Sequence, residues 1–84
     1  MKEIINRIRQ ETPKIRIGKK GVTEGIIQEV SIVLKRDKVV KIKCLQSIPT
    51  ESTKAIAMNI SELTNSKIIE IRGKTFILGI LHTE

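Results

Sequence analysis

Apolar residues recur along the chain with two periods, and the switches between them mark out the elements. Ile4, Ile5 and Ile8 fall at helical spacing among Lys2, Glu3, Arg7 and Arg9, which predicts an amphipathic helix over residues 2 to 10, closed by Pro13. Lys14-Ile15-Arg16-Ile17 then alternates charged and β-branched residues, the signature of a strand with one buried face. Gly18-Lys19-Lys20-Gly21 breaks that alternation. Thr23 follows as an N-cap, with Glu24 in the first turn of a second helix and Val22 and Ile27 at the two positions of a hydrophobic staple. Ile26, Ile27, Val30, Val33 and Leu34 make the apolar stripe of that helix, which ends near Asp37 among Lys35, Arg36 and Lys38.

Val39 to Leu45 alternates again, with Val40, Ile42 and Cys44 on one side and Lys41 and Lys43 on the other. Ser47-Ile48-Pro49-Thr50 reads as a turn, and Ile56, Ile60 and Leu63, with Ala55 and Ala57, predict a third helix reaching Asn65-Ser66. Lys67 to Arg72 and Thr75 to His82 flank Gly73-Lys74 as a closing β-hairpin. The order α-β-α-β-α-β-β predicts an α+β fold, a two-layer α/β sandwich with a mixed four-stranded sheet and the helices mainly on one face. Right-handed crossovers would lay the first three strands in one direction, with the last antiparallel to them. Residues 1–84 carry no linker, repeat or low-complexity tract, so a single domain is expected.

With Ile15, Ile17, Val40, Ile42, Ile69 and Ile71 beneath the helices, Lys14, Arg16, Lys41, Lys43, Glu70 and Arg72 are expected on the opposite face. Composition gives that face a meaning. Sixteen Lys and Arg against nine Asp and Glu leave a formal charge of +7, which attracts a polyanion. No apolar run approaches the roughly 20 residues of a spanning helix, and Met1-Lys2-Glu3 opens no secretory signal, so neither a membrane nor a small-molecule substrate is expected and a cytoplasmic location is. Cys44 and His82 form no zinc-ligand spacing; Cys44 reads as a core residue, and no metal or cofactor is expected. Ser31, Ser47 and Ser52 have only the terminal His82 for a partner, and the carboxylates are scattered, which argues against catalysis.

The glycine-flanked lysines are the best candidate for chemistry. Gly18-Lys19-Lys20-Gly21 joins a strand to a helix N-terminus, where backbone N–H groups and the helix dipole favour an anion, and glycines at both ends would free the backbone to approach it. The spacing is neither that of a nucleotide-triphosphate loop nor that of a dinucleotide fold. A plain β-α turn uses the same residue types, so the motif alone is a weak signal.

The run from Arg16 to Ile27, with Gly18-Lys19-Lys20-Gly21 at its centre, resembles the signature of the CRM domain (chloroplast RNA splicing and ribosome maturation). Lys38 to Lys43 is similar to that family's second strand, and Ile69 to Leu78 to its closing hairpin; Lys38-Val39-Val40 and Leu78-Gly79-Ile80 depart from its usual residues. The resemblance implies a fold like the C-terminal domain of translation initiation factor 3 and an RNA-binding module associated with large ribosomal subunit precursors. It points to Gly18, Lys19, Lys20 and Gly21 as the RNA-holding loop, with Arg16, Lys41 and Lys43 as extensions. An archaeal chromatin protein of the Alba type, binding DNA or RNA, and a basic protein-interaction scaffold are the alternatives. A monomer is favoured. With Phe76 the one aromatic residue, base stacking lacks its usual side chains, so phosphate and shape contacts should dominate.

Overall fold

The computed structural model describes residues 2–80. The predicted order of elements is observed: α1 (Lys2–Gln10), β1 (Ile15–Ile17), α2 (Glu24–Asp37), β2 (Val39–Cys44), α3 (Thr50–Leu63), β3 (Lys67–Arg72) and β4 (Thr75–Gly79). The last strand stops at Gly79, and the expected extension to His82 lies outside the described residues.

Local chemistry sets the helix ends. Thr23 caps α2, its side-chain oxygen accepting the Ile26 N–H at 3.2 Å. Lys38 takes the left-handed conformation, φ 72°, and donates its N–H to Leu34 C=O at 2.9 Å, which stops α2 and turns the chain straight into β2. At the end of α3 the Thr64 hydroxyl donates to Ile60 C=O at 2.7 Å.

The sheet order is β1-β2-β4-β3. β1 runs parallel to β2, and β4 is antiparallel to both its neighbours, so β1, β2 and β3 share one direction as expected. The last strand is therefore a central one. It fills the gap that the β2-α3-β3 passage leaves open.

α2 and α3 cover one face of the sheet. Val30, Val33 and Leu34 from α2 and Ala57 and Ile60 from α3 close over Ile17, Val40, Ile42, Cys44, Phe76 and Leu78 in one apolar cluster. Val22 and Ile27, the expected staple, are half-buried against it. Leu63, placed in the α3 stripe by its spacing, is instead 59% exposed, because the helix ends there. Thr53 takes an inward position that the spacing did not suggest, and its buried Oγ1 finds no hydrogen-bond partner among the described residues.

The second face is not simply open to solvent. Ile8 of α1 packs on Val39 and Ile77, with Ile69 beside them, so α1 roofs part of it. The expectation that Ile69 and Ile71 both lie beneath α2 and α3 is corrected here. The β3–β4 register shifts between Ile68 and Glu70, where Ile69 is an extra residue in the strand. A bulge of this kind breaks the two-residue alternation. Ile68 then packs toward the α2–α3 cluster, Ile69 joins the α1 side, and Ile71 is left 37% exposed.

Candidate nucleic-acid interface

Three connections meet at one end of the sheet, beyond the ends of the parallel strands β1 and β2. The Leu45 N–H donates to Ile17 C=O at 3.0 Å and the Cys44 N–H to Lys74 C=O at 2.8 Å. The Lys74 ammonium donates to Gln46 C=O, tying the short hairpin turn to the β2–α3 connection. No long hairpin arm separates β3 from β4; only Gly73 and Lys74 do.

The lysine turn is the third connection. Gly21 N–H donates to Gly18 C=O at 2.9 Å, which places Lys19 and Lys20 at the centre of a four-residue turn with both side chains exposed. The two glycines serve different ends, a correction to the expectation that both supply backbone freedom. Gly21 has φ 70°, a left-handed conformation that a side chain would strain. Gly18 is not among the positive-φ residues; a Cβ there would come within 3.3 Å of Leu45 Cδ1, so its smallness lets the β2–α3 connection pass. Past the turn, Thr23 takes one of the first N–H groups of α2. Those of Glu24 and Gly25 keep no acceptor among the described residues.

Strand register extends this positive end across the sheet. Arg16 lies opposite Lys43, Lys43 opposite Thr75, and Thr75 opposite Arg72, one row through all four strands. Their neighbours Ile15, Ile17, Ile42, Cys44 and Phe76 point into the core, so the row faces the α1 side. At about 4.8 Å per strand it spans roughly 14 Å. Arg16 and Lys43 are both exposed and have no carboxylate partner among the described residues. Like charges placed opposite each other on a sheet are destabilising, so the pair keeps a cost that an anion would remove.

The other expected cations are engaged elsewhere. Lys41, one row further along, donates its ammonium to Arg9 C=O at 2.7 Å and Glu11 C=O at 3.0 Å, closing the C-terminal end of α1. Lys14 stands 3.9 Å from Asp37, whose carboxyl is held below its ordinary range chiefly by the hydrogen bond from Arg36. On the same side Glu70 accepts from Arg9 Nε at 2.7 Å and lies 3.9 Å from Arg72 Nε. Arg9, Lys41, Glu70, Arg72 and Thr75 line a cleft of ≈ 130 Å³.

The turn Gly18–Gly21 and the exposed pair Arg16 and Lys43 thus lie at the same end of the sheet, whereas the Lys41 ammonium is tied to α1. Reading by alternation put Arg72 on the right face but did not make it a site residue, and it passed over Thr75 and Arg9. Their place depends on β4 lying between β2 and β3, which spacing along one chain does not encode. Cys44 is buried, and burial pushes its thiol up from the ordinary range, away from the reactive thiolate. Among the described residues no group of three His, Cys, Asp or Glu could hold a metal, and no helix is long and apolar enough to cross a membrane.

Fold and charge together define a small basic α+β protein in which Arg16, Lys19, Lys20 and Lys43, all exposed and without a carboxylate partner among the described residues, lie at the loop end of the sheet. The family model of the CRS1/YhbY (CRM) domain matches residues 1–78, and the chain belongs to that family. Among solved structures, a hypothetical protein from Staphylococcus aureus, described as a candidate RNA-binding protein, is similar in fold. The match has a TM-score of 0.79 and 23% identity, covering 99% of this chain and 85% of that one. No curated protein matches.

Proposed function

We propose that residues 1–84 form a single non-catalytic RNA-binding domain. It holds phosphates with the turn Gly18-Lys19-Lys20-Gly21 and the adjoining Arg16 and Lys43, acts on ribosomal RNA in the cytoplasm and assists maturation of the large ribosomal subunit. The observation that carries this reading is that four exposed cations, Arg16, Lys19, Lys20 and Lys43, lie at one end of the sheet without a carboxylate partner among the described residues, the lysine turn leading into unfilled amides at the start of α2. Membership of the CRM family supports RNA as the polyanion, and the fold shared with a candidate RNA-binding protein agrees with it.

Binding of this kind is governed by release of counterions. If about four phosphates are neutralised, a slope of roughly 0.7 per contact predicts about a fifty-fold loss of affinity between 50 and 200 mM salt. Replacing Lys19 and Lys20 together by alanine removes two exposed charges from a turn whose backbone bond is made by the glycines. The variant should fold normally and bind a ribosomal RNA fragment at least about tenfold more weakly in a fluorescence-anisotropy titration. Full affinity in a folded double variant overturns the reading. Competition by duplex DNA as effective as by ribosomal RNA would overturn the choice of RNA.

A further inference from the structure

One carboxylate stands in the basic face, and its geometry is that of a support. Glu70 is largely buried on the α1 side of β3 and meets two arginines from different elements, Arg9 of α1 and Arg72 of its own strand. Both are approached through Nε. Arg9 donates Nε to Glu70 Oε1 and one terminal nitrogen to Asn6 Oδ1 at 3.0 Å, while Arg72 Nε stands 3.9 Å from Glu70 Oε2, beyond hydrogen-bond distance, and its side chain is 79% exposed. Arg72 thus keeps its terminal edge for the forked contact that phosphate oxygens accept, and Arg9 keeps one terminal nitrogen outside its two bonds.

These arginines stand at the far end of the row Arg16–Lys43–Thr75–Arg72, beside the ≈ 130 Å³ cleft that Lys41 and Thr75 help to line. We infer that Arg9, held by Glu70, and the exposed Arg72 beside it form a second RNA contact, which takes a single strand running from the lysine turn along that row into the cleft under α1. The inference rests on the RNA-binding reading above and adds the path and the form of the RNA. Charge complementarity selects the occupant, and the roof selects its width. Between the row anchored to α1 through Lys41 and the loop end there are two residues of strand, about 7 Å, which suits one sugar-phosphate strand and not a duplex.

The test uses the full chain and labelled oligouridylate of about two nucleotides, shorter than the row, and of about twelve, within the range of known single-strand sites. The short probe reaches the lysine turn only; the long one spans the row. Arg72→Ala should weaken the long probe about tenfold, reduce its salt slope by about 0.7, and leave the short probe unchanged. Glu70→Gln gives the sharper sign. It removes the one negative charge in the face, yet it should weaken the long probe about threefold, because the Arg9 guanidinium loses its anchor. Tighter binding of both probes by Glu70→Gln would show a carboxylate that only repels RNA, and overturns the proposal. So does an Arg72→Ala variant that binds the long probe at full strength, or a duplex of the same length that competes equally well. Arg72 is exposed and lies outside both apolar clusters, so its variant answers even if Glu70→Gln loosens α1. Loss of both probes in the Lys19/Lys20 variant with no change in Arg72→Ala removes this inference alone; no loss in the Lys19/Lys20 variant removes the parent reading.

Discussion

Lys41 and Lys43 stand two residues apart on β2 and face the same way, yet they belong to different regions. Around Lys41 the sheet is tied to α1: an apolar contact through Ile8, Val39 and Ile77, and an ammonium already holding two helix-end carbonyls. Around Lys43 the face is unfinished, with Arg16 directly across and no counter-charge among the described residues. Positive charge alone does not mark a binding surface. What separates the two lysines is that the fold already uses the hydrogen bonds of Lys41, while Lys43 has none among the described residues.

The largest effect that would sharpen this contrast is expected at Ile8. Truncation to alanine removes the main anchor of α1 and should lower stability by about 2–3 kcal/mol in urea unfolding, while weakening short-RNA binding far less than the lysine turn variant does. Next comes Lys41→Met, which strands two carbonyls at a helix end and should destabilise by about 1 kcal/mol with the salt slope of RNA binding unchanged. Lys43→Met should do the reverse, with stability retained, the slope lower by about 0.7, and affinity down about fourfold at roughly 0.15 M salt. If the two lysines behave alike in both assays, the division of the face is wrong.

The smallest effect concerns the opposite side of the same strand. Burial raises the Cys44 thiol in the folded chain above its unfolded value, so the folded state holds that proton more tightly. Its contribution to stability is then complete below the ordinary thiol range and is lost as pH rises through that range. Urea midpoints should fall more between about pH 7 and pH 10 for the native chain than for Cys44→Ala, and alkylation at neutral pH should be slow.

Most of the architecture was legible because each element carries its own period and its own stop. Thr23, Asp37 and Gly73-Lys74 each fell at or beside an observed boundary, and Pro13 lies in the connection between α1 and β1. Ile69 was misplaced because alternation presumes an unbroken ladder, and the residue that breaks it is an isoleucine like its neighbours. The tie between Lys41 and α1 was not legible for a related reason. A lysine written between two apolar residues looks the same whether it meets solvent or the end of a helix 30 residues earlier in the chain. At the candidate site, the lysine turn could be picked out because glycine, lysine and a helix cap are adjacent in sequence. The row from Arg16 to Arg72 could not, since it joins four strands whose lateral order only the folded sheet reveals.

That lateral order has a consequence for synthesis. β4 is the last strand described, yet it is the one that joins β2 to β3. While the chain is being made, at about 5–20 residues per second, β1 and β2 can pair, but β2 keeps a bare edge lined by Val39, Val40 and Ile42. Bare edges of that kind invite pairing with other chains. The nascent protein is therefore most vulnerable to clumping in the seconds before Thr75–Gly79 leaves the ribosome, and a stall just upstream of that segment would prolong the hazard.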